Sequence, residues 1–386
     1  MGEKLAQFAQ SRRGIARVMA QRFKFEVPSE VECFFDAVEA GRWEEAKTSF
    51  ASLRQRRDEG HGTNELSQLW GPVLETFGVA QVAHAWPADQ LLGYGQAVLD
   101  SLRPGMVYVG GTDAGRFIPT LLNETSAGER HMVLTQNALT DNNYLQYLDV
   151  LYGDRLNTLS AEDSQHAYEN YLADAQKRLL HDQQSPNEPR QLMPGEDVKM
   201  VDGHVQVSGQ VGVMCVAEKL FQTFLDKNPD ISFALEESFP FKSTYANAVP
   251  LGPVMELRVA DPQRAFTADA AAQAVSYWTD AAQQLLADPE TPVGSDARGA
   301  YSKLIVSQAH LLADHSFNQQ AEQAYQIATQ LAPAGPEAVF GYINLLLTQQ
   351  RPAEALPVAE SAAQAAPDNE QFRMLVQNLK GAISRR

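Results

Sequence analysis

Basic residues are in short supply: 31 lysines and arginines stand against 48 aspartates and glutamates, a formal net charge of −17 over 386 residues. Nucleic acid needs a basic face to meet its phosphates, so it is excluded as a partner. Cysteine is scarcer. Cys33 and Cys215 are the whole complement, too few for a disulfide framework or a four-cysteine zinc site. Long apolar runs are missing as well, where a bilayer-crossing helix needs about 20 residues. No apolar stretch follows the N-terminal charges as it would in a secretory signal, so a soluble, cytoplasmic chain is expected. Catalytic signatures are equally thin. There is no Gly-x-Ser-x-Gly elbow, no His-Glu-x-x-His and no Gly-Lys-Ser/Thr phosphate loop, and the eight histidines, His61 among them, show no ligand spacing. Cys215 sits in the apolar run Val211–Val216 and reads as core. The residues name no cofactor and no metal.

What is present is enough to fold. Apolar residues make up 44% of the chain, which rules out wholesale disorder. Residues 1–27 form a basic amphipathic segment. Lys4, Arg12, Arg13, Arg17, Arg22 and Lys24 face Glu3 alone over the first 24 positions, with Leu5, Phe8, Ile15 and Met19 on the other side. Such a helix either docks on the chain's own acidic body or makes peripheral contact with an anionic membrane surface through residues 1–24. Residues 28–102 read as helical, with Val31, Phe34, Phe35 and Val38 spaced at three and four and Gly41 ending the first helix.

At 103–260 the period changes. Met106–Val109 and His131–Thr135 read as short buried strands, and Ile231–Leu235 and Val254–Val259 as two more. Helices lie between them, one from Pro119 to Asn123 with proline at its first position, and a long one opened by the capping box Ser160/Asp163. Asp202-Gly203 predicts a hairpin over Val198–Val207 at a sheet edge. Strand–helix alternation implies an α/β fold with a mainly parallel sheet and flanking helices.

From 261 to 386 the chain is helical again, with a repeat at about 302–367. Ala321, Ala328 and Pro333 recur as Ala355, Ala362 and Pro367, each 34 residues on. Small residues where helices cross, proline at the end and this period are the tetratricopeptide signature. Two such repeats and a capping helix, Glu370–Ile383, are expected.

Three loops carry the candidate chemistry. Gly110, Gly111, Thr112, Asp113 and Arg116 lie between a strand and a helix, where glycines admit a ligand, a helix N-terminus favours an anion and arginine can grip it. The same residues make a structural turn if Asp113 bonds backbone amides and Arg116 pairs with an acid. Gln136, Asn137 and Asp141 follow the next strand, and Glu236 and Glu237 a third. Ligands of open parallel sheets sit outside the carboxyl ends of the strands, where these loops are expected to converge. Asp113, Asp141 and Glu236 could also hold a hard cation, although carboxylates equally cap helices.

With those residues named, 28 to about 385 resembles a family of uncharacterised bacterial tetratricopeptide-repeat proteins. Its members carry a Gly-Gly-Thr-Asp-Pro-Gly-Arg-Phe loop, a Gln-Asn-Ala-Leu-x-Asp segment and a Glu-Glu-Ser-Phe-Pro segment. Here Gly110–Phe117 has Ala114 in place of the proline, and Gln136–Asp141 and Glu236–Pro240 follow in order. Residues 95–260 more distantly resemble the soluble part of protein O-mannosyltransferase-like membrane proteins. The resemblance implies a soluble α/β module with helical repeats, detached from any membrane-borne glycosyl transfer.

Two function classes follow. One is a non-enzymatic interaction or scaffold protein that meets a protein partner through its C-terminal repeats, its α/β module binding a small anionic ligand. The other is an accessory or catalytic component of glycosyl-transfer chemistry acting at the strand-end loops.

Overall fold

The structure, a computed structural model, describes residues 1–59, 64–201, 203–257 and 266–384. His61, Asp202 of the expected hairpin turn, Val259 and the expected 260/261 boundary lie outside the described residues. The chain opens on α1 (Gly2–Phe23), α2 (Ser29–Glu39), α3 (Trp43–Asp58), α4 (Asn64–Gln68), α5 (Trp70–Ala85) and α6 (Ala88–Leu99). Next come β1 (Val107–Gly110), α7 (Asp113–Glu124), β2 (Met132–Thr135), a 3₁₀ turn (Gln136–Ala138), α8 (Asn142–Tyr152) and α9 (Ala161–Gln184). β3 (Asp197–Val201), β4 (His204–Ser208), α10 (Gln210–Lys227), β5 (Phe233–Glu236), α11 (Lys242–Tyr245), β6 (Ala248–Leu251) and β7 (Val254–Leu257) follow. The chain closes on α12 (Ala268–Ala287), α13 (Asp296–Asp314), α14 (Asn318–Leu331), α15 (Pro336–Thr348), α16 (Pro352–Ala365) and α17 (Glu370–Ser384).

Two compact units result, each drawn from two stretches of chain: Met1–Gln81 with Leu134–Ile231, and Val82–Val133 with Ser232–Arg386. In the first unit α1 buries Phe8, Ala16 and Met19. Arg12, buried on the same helix, pairs with Glu75, whose carboxylate also accepts the Tyr147 hydroxyl at 2.6 Å. Arg13 reaches Glu32, Asp36 and Glu39, Arg17 bonds Glu32, and Arg22 pairs with Asp149 at 2.7 Å. The arginines of α1 are thus spent on ion pairs inside the unit. β3 and β4 form a two-stranded antiparallel sheet of their own, not an edge of the larger one, and pack on α9 and α10.

The second unit holds β1, β5, β6 and β7 of the five-stranded sheet, whose order is β2-β1-β5-β7-β6; the chain passes from this unit to the first within β2. β1 and β5 run parallel, but β7 is antiparallel to both β5 and β6. The expected mainly parallel sheet is therefore a mixed one in an α/β fold. The reason is local: β6 returns as β7 through a two-residue turn at Gly252, and only a longer crossover joins parallel neighbours. Gln308 of α13 ties this hairpin to its helical cover, accepting from Trp278 Nε1 at 2.9 Å and donating to the Gly252 and Val254 carbonyls at 2.6 and 3.0 Å.

The 34-residue period reappears in backbone geometry. Ser316 and Gln350 both take positive φ, 64° and 61°, after α13 and α15. The next amide then bonds back five residues, Phe317 to Leu312 and Arg351 to Leu346, each at 2.9 Å. Five residues past each turn, Ala321 and Ala355 are fully buried, and so are Ala328 and Ala362 seven further on. A third hairpin with the same construction lies in the first unit, where the sequence pattern predicts only paired helices. Gly41 has φ 69°, Arg42 N bonds Ala37 O at 2.9 Å, and Ala46, Phe50 and Leu53 occupy the buried positions of Ala321, Tyr325 and Ala328. Gly-Arg-Trp-Glu-Glu-Ala46 was the available signal, masked because no match exists 34 residues away.

Packing at these crossings leaves no room for growth. Ala328 is fully buried and its carbonyl accepts the Ser302 hydroxyl at 3.0 Å. Ala328→Leu is expected to overpack the α13–α14 crossing and cost about 1–3 kcal/mol, measured as a lower urea midpoint at unchanged slope.

Candidate functional site

The loop after β1 is shorter than the sequence predicts, because α7 starts at Asp113 and not at Pro119. Thr112 caps it, its hydroxyl accepting the Gly115 amide at 2.9 Å. Pro119 therefore falls inside the helix, where its missing N–H leaves the Gly115 carbonyl without its helical donor. The Tyr108 hydroxyl supplies the replacement at 2.6 Å.

The anion expected at this helix N-terminus is present, and it belongs to the chain itself. Glu236 ends β5 in parallel register with Gly110 of β1. Its Oε2 accepts the Gly111 amide at 2.6 Å and the Thr112 amide at 2.9 Å. A Cβ on Gly115 would stand 2.0 Å from that oxygen, so only glycine admits the carboxylate. Glu236 is 1% exposed, and its Oε1 has no hydrogen-bond partner among the described residues. Burial raises its pKa above the ordinary 4.5, opposed by the two backbone amides. The Tyr94 hydroxyl is buried beside it, and burial followed by the Glu236 charge pushes its pKa up, opposed by the Thr112 side chain.

Arg116 is engaged by its own helix. Its guanidinium bonds Asp113 at 2.7 Å and lies 4.2 Å from the centre of the Phe117 ring. The Asp113 carboxylate is 79% exposed. Glu237 faces another buried cluster, accepting the Tyr245 hydroxyl at 2.6 Å and the Phe241 amide at 3.3 Å, with His310 Nδ1 at 3.4 Å. Gly110, Gly111, Thr112, Asp113, Arg116, Glu236 and Glu237 all belong to the second unit. Gln136, Asn137 and Asp141 belong to the first. There Gln136 is fully buried in the 3₁₀ turn, and Asp141 caps α8 through the Asn143 amide at 2.9 Å and stands 3.5 Å from Arg57. Among the described residues no group of three or more histidine, cysteine or acidic side chains is placed to hold a metal ion.

Sequence reasoning placed Glu236 and the glycine loop in one candidate site. It missed Tyr94 and Tyr108, whose roles depend on contacts with no local signature.

Glu236 imposes a pH dependence whose sign is set. A folded pKa above the unfolded value makes its contribution greatest below the ordinary 4.5 and removes it as pH rises through the folded pKa. Glu236→Gln keeps an oxygen for the two amides and removes the ionisation. Its stability relative to the wild type is therefore expected to rise between pH 4 and pH 8, read by chemical denaturation across that range. A difference independent of pH would show that ionisation of Glu236 plays no part.

No protein-family model, curated protein or solved structure matches the chain.

Proposed function

We propose that the protein is a non-enzymatic interaction protein whose C-terminal tetratricopeptide-like helices receive a partner polypeptide. One observation carries this reading: outward positions one repeat apart hold matching side chains. Phe340 of α15 and Met374 of α17 are 34 residues apart and are 38% and 56% exposed. Four residues after each stands an exposed asparagine, Asn344 and Asn378, and Leu347 extends the apolar row on α15. Large apolar side chains left in water on one side of consecutive repeats, interleaved with amides, suit a segment offering apolar side chains and backbone hydrogen bonds. At the matching positions of α13, Val306 is buried and His310 faces Glu237, so the open stretch begins at α15.

The strand-end loops have less to offer a ligand. The amides that would hold an external anion hold Glu236, and Arg116 is paired with Asp113. We assign this loop to structure, linking β1, β5 and α7. The glycosyl-transfer alternative has no observation in its favour here.

A photo-crosslinking amino acid installed at Phe340 or Met374 is expected to capture one common partner in cells, while the same group at exposed Glu354 of α16 does not. With the crosslinker moved to the neighbouring exposed Leu347, Phe340→Ser with Met374→Ser should abolish capture while circular dichroism stays unchanged, and Arg116→Ala should leave capture intact. Equal labelling at all three positions would remove the support for this face.

A further inference from the structure

We propose that the first unit contains a preformed site for an uncharged, predominantly apolar small molecule, between α9, α10 and β4. A cavity of about 420 Å³ lies there, within the range of small-molecule pockets and far above the water-sized voids of close-packed interiors. Tyr168 and Tyr171 line it from α9, Val213, Val216 and Leu220 from α10, and Val207 from β4. The polar groups on its wall are hydroxyls, Thr140, Ser164 and Ser208, and no charged side chain is among the described residues lining it. That is selective in a chain of net charge −17. An ionic ligand would enter without a counter-charge, whereas a neutral one carrying a hydroxyl or carbonyl finds partners.

Ion pairs brace α9, one wall of the cavity, near both of its ends. At one end Lys227, closing α10, pairs at 2.5 Å with Asp163 of the α9 capping box. At the other Arg178 of α9 pairs with Glu196, a carboxylate 0% exposed that leads into β3 and also accepts the Tyr171 hydroxyl at 2.8 Å. Two half-exposed apolar side chains, Tyr168 at 47% and Val213 at 52%, mark the way in. The repeat face assigned above uses none of these residues, so the two readings stand or fall separately.

The test titrates the full-length protein with the neutral fluorophore N-phenyl-1-naphthylamine. Saturable binding of one probe per chain is expected, with a raised thermal midpoint as for any ligand of the folded state. Val216→Trp should fill the cavity, and Val213→Trp should obstruct its mouth. Each should weaken binding by at least about tenfold with unchanged circular dichroism. Because Val213 is half in solvent, that variant decides the matter should Val216→Trp not fold. The idea is overturned if both tryptophan variants bind the probe as the wild type does. It is equally overturned if anionic 1-anilinonaphthalene-8-sulfonate binds more tightly than the neutral probe. A third contrary result is binding that emerges only on dilution, meaning a second copy of the chain fills the cavity.

Discussion

A buried carboxylate decides the shape of the α/β unit. Glu236 leaves the end of β5 in register with Gly110, and its Oε2 takes the two amides that lead into α7. Losing it would remove from each amide a hydrogen bond to a charged group, the kind worth about 1.5–3 kcal/mol. The neighbouring residues follow from this contact. Position 115 has to be glycine to admit the oxygen, Thr112 has to cap what the carboxylate does not reach, and α7 has to begin at Asp113. Pro119 is tolerated within α7 because Tyr108 serves the carbonyl that proline strands. The residues that read as a ligand loop are the residues such an internal anion requires.

The helical parts rest on a different device, used in both units. A left-handed residue ends one helix, a back-bond closes the turn, and a buried alanine five residues on lets the second helix approach. Backbone geometry, not side-chain identity, is what Gly41, Ser316 and Gln350 share. In the second unit these hairpins leave one side of α15 and α17 uncovered, and the proposed partner surface lies on that side.

Charge is distributed with the same economy. The basic character of residues 1–24 contrasts with an acidic remainder, yet Arg12, Arg13, Arg17 and Arg22 each meet carboxylates within their own unit. Arg12 is the most committed, lying over the Phe8 ring as well as pairing with Glu75. A buried pair of this kind adds little net stability but is expensive to break, so it fixes where α1 lies.

Local pattern sufficed for much of this. The α9 capping box, the helix end at Gly41, the buried alanines at a 34-residue spacing and the strands β1, β2 and β5 are set by interactions within a few residues, or by a period visible in one dimension. β6 was not legible, because Ala248–Leu251 has a proline and no clear alternation, and it is a strand only by pairing with β7. The mixed sheet was hidden for the same reason, since strand direction is chosen by which partner completes the hydrogen bonds. The candidate site divided along this line. Residue types alone marked Gly110–Arg116 as a cradle for an external anion, Glu236 as a further residue of the same site, and Asp141 as the start of a helix. That the anion is Glu236 itself, and that Tyr108 and Gly115 serve it, was decided by tertiary structure, because parallel pairing of β1 with β5 brings together residues more than a hundred positions apart.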